Sequence, residues 1–131
     1  MNALEFEKEV RELRRRQRAF FHYRKDDPSR EKALQHMREQ EELLRNVIEP
    51  VMAIRTSKES HGEREKFFLL VAEMMKKQRE WARQGGGSWY MNPARDAEHT
   101  VDKWLAKWDE QKAEEKRRAM EEERKKQLEL F

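Results

Sequence analysis

Phe6, Val10, Leu13, Gln17 and Phe20 follow one another at intervals of four, three, four and three. Side chains so spaced line one face of an α-helix and ask for a partner helix, with Gln17 a polar member of the seam. The helix is predicted to begin at Asn2, whose side chain can accept from the backbone while Glu5 reaches back to the cap. Asp26-Asp27-Pro28 reads as a stop and restart, because the residue before proline avoids the helical region, Asp27 can cap and Pro28 suits a first helical turn. The second helix carries Leu34, Met37, Glu41, Leu44, Ile48 and Val51 on a similar seam, so the two pair most simply as an antiparallel hairpin. Pro50 removes a backbone donor and predicts a kink or an end there, with Val51, Met52 and Ile54 forming an extra apolar turn. Residues 56–62 read as a linker, in which Ser60 with Glu63 offers another capping box.

A third helix is predicted over 63–83 and is the most apolar of all, with Phe67, Phe68, Leu70, Val71, Met74, Met75 and Trp81. Gly85-Gly86-Gly87 should end it. Ser88-Trp89-Tyr90-Met91 would then form an aromatic loop before Asn92 and Pro93 open a fourth helix, whose apolar face is Ala97, Val101, Trp104, Leu105 and Trp108. No run alternates as a half-buried strand does. The expectation is an all-α chain: two antiparallel helical hairpins, 2–55 and 63–108, forming an elongated four-helix bundle over 1–108.

The two hairpins resemble each other. A shift of 61 residues aligns Phe6 with Phe67, Val10 with Val71, Glu12 with Glu73, Leu13 with Met74, Gln17 with Gln78, Arg18 with Arg79 and Phe20 with Trp81. Either internal duplication, which the polar matches favour, or convergence of heptad helices rich in charge accounts for the likeness; both predict the same bundle. The Gln-x-x-aromatic helix end before a second amphipathic helix, at Gln17 to Phe20 and Gln78 to Trp81, is similar to that of small uncharacterised helical proteins of bacterial phages and mobile elements. That resemblance spans most of 4–108 and implies a setting, not an activity.

Composition narrows the function classes. Charged residues make up 44% of the 131, which suits narrow seams better than a thick core. There is no cysteine, so disulfides and thiolate chemistry drop out. The N-terminus is charged and no apolar run reaches the length of a signal or membrane span, so a cytoplasmic location is expected. Thirty basic against 27 acidic residues leave a net charge of only +3, which does not by itself argue for nucleic acid. His22, His36, His61 and His99 fall in four separate elements with no ligand spacing among them, and Gly85-Gly86-Gly87 lacks the lysine and hydroxyl of a phosphate loop. No nucleophile, acid–base pair, metal or cofactor is expected, and the chain is read as a binding protein, not an enzyme.

Two surfaces are candidates for that binding. Arg11, Arg14, Arg15 and Arg18, with Arg16, Arg24 and Lys25, are expected on the face of the first helix away from its seam. They could track phosphates, or serve solubility and pair with acidic residues of the second helix. Trp89 and Tyr90 are a further contact point, or cover the end of the bundle.

The other surface follows a charged arm over 109–126, expected to be helical through i,i+4 pairs such as Glu114 with Arg118, Glu121 with Lys125 and Glu122 with Lys126. The sequence then reads Gln127-Leu128-Glu129-Leu130-Phe131, placing three large apolar residues where no core is left to take them. This resembles the Gln-Leu-x-Leu-Phe peptide by which bacterial polymerases, repair proteins and replication regulators bind the DNA sliding clamp. Gln127, Leu128, Leu130 and Phe131 match, and Glu129 departs from the usual serine or aspartate. The resemblance implies that Gln127 orients the peptide while Leu130 and Phe131 anchor it in an apolar pocket of the clamp. Alternatively, Leu128 and Phe131 complete a helical turn that packs on the bundle or on a second copy. Self-association through the seams of the bundle is a further expectation, with Trp104 and Trp108 at the interface.

Overall fold

The computed structural model describes residues 1–55, 62–85 and 88–130, with the side chains of 88–92 left out of that description. It contains α1 (Ala3–His22), α2 (Ser29–Ile54), α3 (Glu63–Arg83) and α4 (Ser88–Glu129), and no strand among the described residues. The chain is all-α, as the spacing of its apolar residues predicts. α1 packs on α2 and α3 on α4, giving two hairpins that close on each other as a four-helix bundle.

Local sequence explains the ends. Glu5 N donates to Asn2 Oδ1 at 2.8 Å and Asn2 N to Glu5 Oε2 at 3.1 Å, the reciprocal capping box. Asp27 Oδ1 accepts from Ser29 N at 2.9 Å and Pro28 already has helical dihedrals (φ −59°, ψ −28°), so Asp27 performs the cap expected of it. α3 ends where Gly85 turns to φ 77°, a conformation that disfavours residues with a Cβ.

Pro50 is expected to kink or end the second helix, and the end is not found there: α2 runs through Pro50 to Ile54. Pro50 and Asn46, the residue whose carbonyl loses its donor, are both exposed, so water can take that place. Val51, Met52 and Ile54 are exposed and add nothing to the core. α4 begins at Ser88, so 88–91 belong to the helix and not to a loop, and Pro93 lies inside its second turn. The expected cap at Ser60 lies outside the described residues, as do Gly86 and Gly87, and the side chains of Trp89 and Tyr90.

The core is one cluster: Phe6, Val10 and Leu13 of α1, Leu44 and Ile48 of α2, Phe67, Val71 and Met74 of α3, and Val101, Leu105 and Trp108 of α4. Residues related by the 61-residue shift meet across it. The Phe6 and Phe67 rings lie 6.0 Å apart edge to face, and the Gln17 and Gln78 amides exchange hydrogen bonds of 3.0 and 3.2 Å. α1 and α3 therefore run parallel, with matched residues level, while α2 and α4 run antiparallel to them.

Candidate functional sites

The four arginines proposed to face solvent do not share one open face. Arg14 is 7% exposed, and its Nε and Nη2 bond the two oxygens of Asp102 at 2.9 and 3.0 Å. Arg11 bonds Asp109 at 3.0 Å and Glu7 at 3.0 Å, and Arg18 reaches Asp102 at 3.0 Å. Arg15 is exposed and paired with Glu12, which Arg16 also contacts at 2.9 Å. The placement expected for Arg14 is thus overturned, and the acidic partners lie chiefly on α4 rather than on α2. The reason is geometric. A helix in a four-helix bundle has two flanks as well as a seam, and Glu7, Arg11, Arg14 and Arg18, spaced four, three and four, form the flank that meets Glu98, Asp102, Leu105 and Asp109 of α4 at the same spacing.

Two buried polar centres escaped the reading of the sequence. Glu7 sits among Arg64 at 2.7 Å, Arg11 at 3.0 Å and Lys112 at 3.7 Å. Burial pushes its carboxyl up, but hydrogen bonds from Arg64 and Arg11 and the charges of Arg11 and Lys112 outweigh that and hold it below the ordinary range. The second centre joins Arg14, Gln17, Gln78, Glu98 and Asp102 above the apolar core. Asp102 is likewise lowered: its burial is overcome by the hydrogen bond and charge of Arg14 and by Arg18. The signal was present in the matched spacing of the charged flanks, and it was hidden because attention to the seam leaves flanks unread.

These networks are saturated ion pairs, which hold structure and offer no free acid, base or nucleophile. Among the described residues no three of His, Cys, Asp and Glu are grouped to hold a metal, and no helix is long and apolar enough to cross a membrane. His22, His36 and His99 are exposed in separate places, and His61 lies outside the described residues. Trp108 is buried against Phe67 at 4.7 Å within its own bundle, so the seam thought to await a second copy is already filled there.

The arm is the opposite kind of surface. α4 is 42 residues long, about 63 Å at 1.5 Å per residue, and every described residue from Asp109 onward is exposed. Within the arm Glu114 pairs with Arg117 at 2.8 Å and Arg118 at 3.5 Å. Gln127 and Leu128 belong to the last helical turn, and Leu130 N donates to Gln127 O at 3.3 Å. Leu128 is 66% exposed and Leu130 83%, so neither packs on the bundle. Phe131 lies outside the described residues. No family model matches the chain, and no curated protein or solved structure is similar to it.

Proposed function

We propose that this chain is a binding protein that docks on a bacterial DNA sliding clamp through Gln127, Leu128, Leu130 and Phe131. The observation that carries the reading is the sequence of 127–131 itself, with four of five residues matching the clamp-binding peptide. The surroundings support it. The two leucines stand in solvent at the tip of a helix that buries nothing after Trp108, and from Lys112, level with Glu7, to Glu129 the arm extends roughly 26 Å. A few apolar anchors supply most of the energy of peptide docking, and an arm clear of the bundle lets them enter a groove. Gln127 would orient the peptide and Leu130 with Phe131 would fill the pocket. A phage or mobile element is the proposed setting, and the bundle would be what the tail brings to, or holds against, the clamp.

The test is titration of a purified bacterial sliding clamp with a peptide of residues 120–131 and with the intact chain. Binding in the micromolar range or tighter is expected from both, about −8 kcal/mol or better. It should vanish in the double variant Leu130→Ala, Phe131→Ala. Binding that survives this variant, or none from peptide and intact chain alike, sinks the reading.

A further inference from the structure

The charges of the arm come in blocks. Glu114-Glu115 precede Lys116-Arg117-Arg118, then Ala119-Met120, then Glu121-Glu122-Glu123 precede Arg124-Lys125-Lys126. Turned end for end about the Ala119–Met120 bond, the order of signs complements itself: Glu114 comes level with Lys125, Glu115 with Arg124, Lys116 with Glu123, Arg117 with Glu122 and Arg118 with Glu121. We infer that the arms of two copies of this chain pair antiparallel about Met120, so that the occupant of this exposed helix is a second arm.

Three observations converge on that occupant. Beyond Lys112, whose contact with Glu7 is the last that joins arm to bundle among the described residues, the arm is exposed along its described length and free to take a partner. Met120, 64% exposed, lies with Ala113, Lys116, Glu123 and Gln127 on one stripe spaced three, four, three and four, the seam of a two-helix coil. Across that seam Met120 faces Ala119 of the other copy, and Lys116 faces Glu123. The charge order also selects direction, since parallel arms in register would set each block against its own sign. Finally, the antiparallel register brings Leu128 and Leu130 of one copy level with Gln111 and Asp109 of the other. The last turn of each arm then lies beside the first turns of the partner's α1, where Glu7 meets Lys112 and Arg11 meets Asp109, with exposed Leu4 about one turn further along the same flank. Pairs of this exposed kind are individually weak, so the association is modest and sensitive to salt.

Sedimentation of the intact chain at rising concentration tests this. A monomer–dimer equilibrium with Kd of about 10–100 μM at low salt is expected, weakening as salt is raised. The variant E121K/E122K/E123K and the variant K116E/R117E/R118E should each lose self-association by more than about 100-fold, because each sets like charges against like. Mixed in equal amounts they should recover a heterodimer. Since both leave 127–131 untouched, the outcome is separate from clamp docking. Direction is read by single cysteines in this cysteine-free chain. Met120→Cys should be joined by a short bismaleimide, and Leu128→Cys should not, its counterpart being about 26 Å away along the axis. A chain that stays monomeric to about 1 mM at low salt, block variants that dimerise like the parent, or a mixture that fails to recover would overturn the inference. So would efficient joining at Leu128→Cys.

Discussion

Asp102 shows how much one carboxylate can hold. Its two oxygens take Arg14 side-on, and Arg14 is too buried to turn to water if that partner goes. Asp102→Ala should therefore cost about 2–4 kcal/mol in denaturant unfolding, somewhat less than a wholly stranded ion because Glu98 lies 3.7 Å from Arg14. Arg15→Ala, at an exposed residue, should leave the unfolding midpoint close to the parent's. Equal losses would contradict the assignment of Arg14 as the buried partner. Titration separates the carboxylates further. Glu7 and Asp102 have folded pKa values below the ordinary one, so their contribution is complete above the unfolded pKa and is lost as pH falls through the folded value. Glu12, drawn down to about 2 by Arg15 and Arg16, follows the same sign. Glu41 is opposite: burial raises it against the pull of Gln17, Arg45, Arg38 and Arg79. Its charge opposes folding above the raised pKa, and that opposition disappears as pH drops below the ordinary carboxylate value. Glu41→Gln should raise Tm at pH 7 and leave it unchanged at pH 4, measured by thermal melts. A lower Tm at pH 7 would mean that Gln17 and the arginines favour the ionised form more than burial penalises it.

At the scale of elements, what the sequence made legible was the seam, and what it concealed was everything beside it. The heptads of α1 and α3 pointed to buried Val10, Leu13, Val71 and Met74, and the capping residues Asn2 and Asp27 marked true starts. Of the kink or end expected at Pro50, the end does not occur, because the α2 surface there is wet and water can replace the missing hydrogen bond. The arginines misled because position relative to one seam says nothing about a second neighbour; α4 is 88 positions away from Arg14 at Asp102, and only the fold brings them together. Gln17 was legible as a polar seam residue but not as half of a pair. Its amide is shared with Gln78 and also accepts from Arg14, while Gln78 donates to Glu98. Gln17→Ala and Gln78→Ala should each cost about 1–3 kcal/mol, and the double variant clearly less than their sum. Strict additivity in that cycle would show that the two amides act separately.

The described molecule divides into a bundle that holds all of the core and an arm that adds nothing to it. Every buried residue described lies at or before Trp108, and the last contacts joining the arm to the body are those of Asp109 with Arg11 and Lys112 with Glu7. Stability and binding should then be separable by length. A chain stopped after Ala113 keeps both contacts and the entire core, so its Tm should stay within about 3 °C of the parent, the shift expected of surface changes. Its helical signal per molecule should drop, because the residues removed are helical up to Glu129. The same chain should neither bind a clamp nor self-associate, since Gln127, Leu128, Leu130 and both charge blocks are gone. A large fall in Tm would mean that the arm folds back on the body in solution and that its exposed leucines are covered by their own chain. An unchanged Tm with both kinds of binding abolished would leave the arm as the working surface and the bundle as the body that carries it.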